Sequence, residues 1–165
     1  MSELSNQDTG KRQQALSKWL EEVANEKTRW YIQERIIDQM EWYRKKSSDY
    51  KHTYEFLSTV SIILSGIIPV MSVLADGSLA IKILIAALGA AVTGIGAYLN
   101  LHSYKNTWEI YRSNREKLLS ILYLYFNKAS IFQKELSQEN RDTTLIETCE
   151  KYLQQEVTDW KNINR

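Results

Sequence analysis

Few side chains in this sequence have the types and spacing that catalyse reactions or hold metal ions. The candidates His52, His102 and Cys149 stand far apart along the chain. Structural zinc needs four clustered ligands, and a catalytic nucleophile needs an adjacent base. No glycine-rich phosphate loop or carboxylate pair accompanies them. We therefore predict no enzyme activity, no metal and no cofactor, and we interpret Cys149 as a buried apolar residue on a helix.

Charge is distributed very unevenly along the chain. One residue in four is charged overall, yet between residues 56 and 101 only Asp76 and Lys82 are ionised. A bilayer core of about 30 Å requires about 20 helical residues. We predict transmembrane helices at 56–75 and 79–101, joined by an external turn at 76–78. So short a link forces an antiparallel hairpin whose two ends lie on the same side of the membrane.

Basic residues near the membrane indicate which side that is. They flank both ends of the hairpin, at Arg44, Lys45, Lys46, Lys51, Lys105, Arg112, Arg115 and Lys117. The tip offers only Lys82, which Asp76 partly offsets. Both termini are therefore predicted to be cytoplasmic. Because positive and negative charges in the flanks nearly balance, no nucleic-acid partner is expected.

The flanks have helical apolar periodicity and no strand alternation. We predict a flexible N-terminus at 1–10, cytosolic helix at 11–55, a helical extension and turn at 102–135, and a last helix at 142–163 capped by Asp142 or Thr143. The first apolar face is predicted to hold Trp19, Val23, Trp30, Ile36, Ile37, Met40 and Tyr43. The fold class is all-α: a two-transmembrane helical hairpin with long cytosolic extensions that form a bundle.

Small and polar residues form stripes inside the two spans on a wheel of 100° per residue. In the first span the stripe is Ser58, Ser61, Ser65 and Ser72. In the second it is Lys82, Ala86, Gly89, Ala90, Thr93, Gly96, Ala97 and Asn100. The opposite face of the second span, Leu84, Ile85, Leu88, Val92, Ile95 and Leu99, is predicted to face lipid.

Two interpretations of the small-polar stripes remain open. Small residues allow close helix packing with hydrogen bonds across it, and polar side chains at membrane depth also line water-filled pores. Two spans cannot enclose a pore, so a pore requires several copies. Pro69 and Gly94 are candidate kink or gate positions, with plain packing as the alternative.

The arrangement resembles bacterial two-transmembrane proteins of unknown function grouped with the SLATT domains. The resembling stretches are Arg35–Pro69, with its Gln-x-x-Trp-Tyr segment and late proline, Asn106–Tyr125, and the closing Glu156–Trp160. The resemblance implies a pore-forming effector of a nucleotide-signalled defence system in the bacterial inner membrane. It supplies no catalytic residues, and this sequence contains no recognisable sensor domain, so the trigger is expected to come from a cytosolic sensor partner or from the chain's own small cytosolic bundle.

The shared residues predict an aromatic and charged collar at the membrane exit. Its members are Trp42, Tyr43, Arg44, Trp108, Tyr111, Arg112 and Glu116, and we expect Arg112 and Glu116, four residues apart, to lie close enough to pair. The collar either couples the cytosolic helices to the spans or simply anchors the interface. The expected function is an oligomeric pore in the lipid bilayer, and the alternative is a non-conducting, membrane-anchored helical interaction module.

Overall fold

The computed structural model describes residues 15–73, 78–133 and 135–163, with side chains up to Thr158. All regular elements in these ranges are helical, so the predicted all-α class is confirmed. The elements are residues 15–21 (α1), Glu26–Tyr31 (α2), a π-helix at Ile32–Ile37, Asp38–Val73 (α3), Leu79–Leu101 (α4), Tyr104–Phe126 (α5), a 3-10 turn at Ser130–Phe132 and Gln138–Ile163 (α6). The predicted N-terminus at 1–10 and the turn residues 76 and 77 lie outside the described residues.

The chain divides into two compact units. The terminal unit comprises residues 1–42 and 114–165, and the hairpin unit comprises residues 43–113. The boundaries fall within α3 and within α5, so the hairpin unit is one continuous run of sequence and the terminal unit is built from two.

Helical structure is continuous from Glu26 to Val73, as the absence of glycine and proline between residues 26 and 65 allows. Asn25 caps its start, because the side-chain oxygen accepts a hydrogen bond from the backbone N–H of Lys27 at 3.0 Å. Pro69 lies inside α3, which continues for one more turn beyond it.

The core of the terminal unit follows a spacing that an ordinary α-helix would not keep on one face. Thr28, Ile32, Ile36 and Met40 are all buried at steps of four residues. In an α-helix each such step drifts by about 40°. The π-helix at Ile32–Ile37 has wider turns with i→i+5 hydrogen bonds, and these wider turns compensate for the drift of about 40°.

This geometry corrects the predicted apolar face. Trp30 was expected in the core but is 67% exposed, whereas Thr28 and Ile32 occupy the buried positions. Val23, Ile36, Met40 and Tyr43 are buried as predicted.

The start of α6 also differs from the prediction. The helix begins at Gln138 rather than at 142, and the Ser137 hydroxyl accepts a hydrogen bond from the backbone N–H of Asn140 at 3.2 Å, as an N-cap does. Asp142, predicted as a cap, is instead buried inside the helix.

In that position Asp142 connects three helices of the terminal unit. Its carboxylate accepts hydrogen bonds from Thr28 Oγ1 at 2.9 Å, Tyr125 Oη at 2.6 Å and Gln138 Nε2 at 2.7 Å. Apolar side chains complete this core. They include Leu118, Leu119, Leu122, Phe132, Leu145, Cys149 and Leu153.

Two helical stretches are long and apolar enough to cross a membrane. One lies in the helix Glu26–Val73, and the other in the region Leu79–Phe132, where α4 has the bounds of the predicted second span. A break at His102 and Ser103 separates α4 from α5, and Ser103 has a left-handed φ of 46°. α5 ends at Phe126, inside the predicted extension and turn at 102–135.

Candidate functional site

Apolar residues at heptad spacing are the covered positions of both apolar helices. In α4 the half-buried side chains recur at three- and four-residue steps: Ile81, Ile85, Leu88, Val92, Ile95 and Leu99. In α3 the corresponding positions are Leu57, Val60, Leu64, Ile68 and Met71, with the half-buried Ser58 and Ser61 beside them. A period of 3.5 residues is typical of two helices packed along their length. These half-buried apolar positions of α3 and α4 are here called the seam.

This seam corrects the prediction for the bulky face of α4. That face was expected to meet lipid, yet of its members only Leu84 is exposed, and the other five lie in the seam. Large branched side chains fill the space between antiparallel helices better than alanine or glycine, and from the half-burial of these five residues we infer that the bulky face closes the hairpin.

The small-polar stripe of α4 is consequently directed away from the seam. Six of its eight members are exposed: Lys82, Ala86, Ala90, Thr93, Ala97 and Asn100. On a wheel they lie roughly 130° from the seam, with the half-buried Gly89 and Gly96 at its border.

The glycines of α4 are not sites of close helix approach inside the chain. A Cβ placed on Gly89, Gly94 or Gly96 would meet nothing within 4 Å. Gly94, the predicted gate position, is also exposed. The described part of the chain therefore offers no intramolecular reason for small residues here.

The serine stripe of α3 is divided between two environments. Ser58 and Ser61 are half-buried, whereas Ser65 and Ser72 are exposed along with Pro69. The Ser65 hydroxyl donates to the Ser61 carbonyl at 2.8 Å, and the Thr93 hydroxyl of α4 donates to the Gly89 carbonyl at 2.9 Å. Each hydroxyl bonds within its own helix.

Part of the predicted collar comes together in the hairpin unit. Tyr43 and Tyr111 have ring centroids 6.1 Å apart. The backbone carbonyl of Trp108 accepts a hydrogen bond from Ser47 Oγ at 3.2 Å, and Lys51 Nζ lies 5.9 Å from the centre of its ring. Arg44 and Arg112 belong to the same unit and are exposed.

The other predicted members, Trp42 and Glu116, belong to the terminal unit. Trp42 is 43% exposed. Glu116 accepts a 2.8 Å ion-paired hydrogen bond from Arg115, and a pair with Arg112 stays a prediction.

The collar also contains aromatic residues that were not among its predicted members. Tyr50 packs against Tyr104 and Tyr111 with centroid distances of 5.5 and 5.9 Å. Tyr98 and Tyr104 share a hydrogen bond between their hydroxyls at 3.1 Å, and the His102 ring lies 4.3 Å from that of Tyr98. These residues surround the break between α4 and α5.

Comparison with known families decides the affiliation of the chain. A family model described as a protein of unknown function (DUF4231) matches residues 38–140, more than half of the sequence. The chain belongs to the DUF4231 family. No curated protein and no solved structure matches it.

The DUF4231 region contains both apolar helices, the seam, the outward small-polar stripe and the collar. It ends three residues into α6, so most of that helix lies beyond the match.

Beyond the DUF4231 region, Cys149 is fully buried, as its interpretation from sequence required. Burial, and secondarily the charge of Glu150, raises the pKa of its thiol to about 12. Among the described residues, no three or more His, Cys, Asp or Glu side chains are grouped so that they could hold a metal ion.

Proposed function

We propose that this DUF4231 protein assembles into an oligomer that forms an ion-conducting pore in the membrane, lined by the small-polar stripe of α4. The observation that carries the proposal is the division of α4 into two faces. Its bulky face closes the hairpin, and its small-polar face is left exposed.

A lipid environment alone does not explain that exposed face. Side chains that meet acyl chains are expected to be large and apolar, whereas Thr93 and Asn100 are polar and Ala86, Ala90 and Ala97 are small. Small and polar residues at membrane depth suit contact with another helix or with water. Contact with water at this depth needs further copies of the chain, since two spans cannot enclose a channel.

The proposal places the hairpin in the bacterial inner membrane with both termini in the cytoplasm. Within the hairpin unit, basic residues lie around the ends of the hairpin distant from its tip. They are Arg44, Lys45, Lys46, Lys51, Lys105 and Arg112. Lys82 is the single basic residue near the tip. This asymmetry supports the cytoplasmic assignment.

The resemblance to SLATT proteins supports a role as the membrane effector of a nucleotide-signalled defence system. In that role a cytosolic sensor partner would provide the trigger. The exposed Trp30 and Val157 of the terminal unit, 67% and 55% accessible, are apolar side chains that such a partner could cover.

The test is flux from ion-loaded liposomes carrying the purified protein. Ala90→Leu and Ala97→Leu place bulk on the exposed small-polar stripe and are expected to abolish flux. Ala87→Leu and Ala91→Leu provide the matched control, because these alanines are also exposed on α4 but lie on the other side of the helix.

Helix content and size in detergent would show that all variants fold. Absence of flux from the native protein in every oligomeric state, with or without candidate triggers, would contradict the pore and favour the non-conducting interaction module. Equal losses in both variant pairs would remove the assignment of the lining face.

A further inference from the structure

Four basic side chains of the hairpin unit lie on one side of the helix pair α3 and α5. They are Arg44, Lys51, Lys105 and Arg112, here called the basic patch. Two facts place them together: the register of the two helices and the angular position of each residue on its helix.

Ring contacts fix an antiparallel register. Tyr43 pairs with Tyr111, and Tyr50, seven residues further along α3, pairs with Tyr104, seven residues earlier in α5. Between them, Ser47 bonds the carbonyl of Trp108. The same register sets Lys51 level with Lys105, and Arg44 level with Arg112.

The angular positions then decide the side. Relative to the face of α3 that meets α5, Arg44 and Lys51 are rotated by roughly 70–90° in the direction of increasing residue number. Lys105 and Arg112 are rotated by roughly 70–110° in the same sense on α5. For two antiparallel right-handed helices that face each other, equal rotations lead to the same side of the pair.

A direct contact agrees with this placement. Lys51 Nζ lies 5.9 Å from the ring centre of Trp108, the α5 residue between Lys105 and Arg112. Lys51 also pairs with Glu55 at 3.6 Å, although both side chains are at least half exposed. Four cations and Trp108 therefore share one surface, on which Glu55 and Glu109 are acidic neighbours.

We propose that the basic patch binds the phosphate of an anionic phospholipid. Like charges at the same level on neighbouring helices repel, and an anion between them removes that repulsion. The lipid source follows from depth. Lys51 lies five residues, about 7.5 Å, from Phe56, where the uncharged stretch begins, and Lys105 lies four residues after Leu101, where it ends.

The two levels of the basic patch are not equivalent. Phe56 and Leu101 are 62% and 81% exposed, as lipid-facing residues at the end of a span would be. Lys51 and Lys105 are therefore level with the headgroups, whereas Arg44 and Arg112 lie seven residues, about 10 Å, further away. The lysine pair should hold the phosphate, with the arginine pair strengthening the local positive potential.

Native mass spectrometry of the full chain in detergent, titrated with phosphatidylglycerol or phosphatidylcholine, tests the proposal. We expect at least tenfold tighter binding of phosphatidylglycerol. The double variant Lys51→Gln/Lys105→Gln should bind phosphatidylglycerol about 30-fold more weakly, since each cation near an anionic lipid surface contributes about fivefold. Arg44→Gln/Arg112→Gln should lose less.

The matched control for the arginine pair is Lys45→Gln/Lys46→Gln, which removes two charges near the depth of Arg44 on other faces of α3 and should change affinity by less than about threefold. Equal binding of both lipids by the native protein would overturn the proposal. So would a control variant that loses as much as the lysine pair. Soluble glycerol phosphate provides the remaining arm: if it competes at equal concentration, the site recognises free phosphate rather than lipid.

Discussion

Replacement of Asp142 by alanine should strongly destabilise the terminal unit. The carboxylate is 4% exposed and accepts hydrogen bonds from two buried hydroxyls, those of Thr28 and Tyr125, and from the amide of Gln138. Burial, followed by the hydrogen bond to Asp142, raises the pKa of Tyr125, which keeps its hydroxyl protonated as a donor.

The magnitude follows from what the substitution leaves behind. Each buried hydroxyl that loses its acceptor costs about 1–3 kcal/mol. Removing a buried charge returns part of this by ending its desolvation penalty. Gln138 is exposed and can bond water instead. We expect a net loss of about 2–4 kcal/mol for Asp142→Ala, and a smaller loss for Asp142→Asn, which keeps an acceptor.

Denaturant unfolding in mild detergent, followed by near-ultraviolet circular dichroism, measures this loss. Glu139→Ala, an exposed acidic residue of the same helix, is the control and should change stability by less than about 0.5 kcal/mol. In a double-mutant cycle, Asp142→Ala and Tyr125→Phe should couple by about 1–2 kcal/mol. Strict additivity, or a loss below 1 kcal/mol for Asp142→Ala, would refute the reasoning.

Three further predictions concern the terminal unit. Hydrogen bonds from Arg35, and to a smaller extent from Tyr31, lower the pKa of Glu150. The stability that the ionised Glu150 contributes is therefore present above about pH 4.3 and is lost as pH falls through its lower folded pKa. Acid titration of unfolding should show a loss within about 1 kcal/mol, because the pair with Arg35 is exposed, and Glu150→Gln should abolish that loss. The buried Cys149 should react with Ellman's reagent at pH 8 only after denaturation, and a fast reaction of the folded protein would contradict its burial. Ile32→Ala should lower the free energy of unfolding in denaturant by about 2–4 kcal/mol, and Trp30→Ala by less than about 1 kcal/mol. The reverse order would support the apolar face predicted from sequence, with Trp30 in the core.

Where sequence prediction succeeded, one strong physical signal was sufficient. From 79 to 101 the only ionised side chain is Lys82, and this apolar stretch is long enough to require a helix; α4 has those bounds. The apolar periodicity of α5 ends at Phe126, and so does the helix.

Prediction failed where two local signals competed. The polar residues from 138 to 142 resemble a loop, yet they follow Ser137, a good N-cap, and form the start of α6. Trp30 was assigned to the core because it is large and apolar. A period of 3.6 residues cannot reveal the π-helix that brings Ile32 and Thr28 inward instead.

The face of α4 that closes the hairpin could not be read from sequence for a different reason. A leucine packed against a helix and a leucine solvated by lipid have the same composition and the same spacing. The wheel separated bulky from small residues correctly, but only the seam distinguishes which set is covered within the chain.

The three glycines Gly89, Gly94 and Gly96 lower the stability of α4 without a compensating contact inside the chain. In a water-exposed helix, glycine costs about 0.5–1 kcal/mol relative to alanine, and within the described chain no atom approaches closely enough to need the missing side chain. The hairpin alone therefore gains nothing from them. Lipid offers no interaction that favours glycine over leucine, whereas a second helix at close approach or a wide aqueous lumen does. Substituting all three by alanine should therefore leave the isolated hairpin at least as stable, while impairing the proposed oligomer and its pore, which form on the outer face of α4.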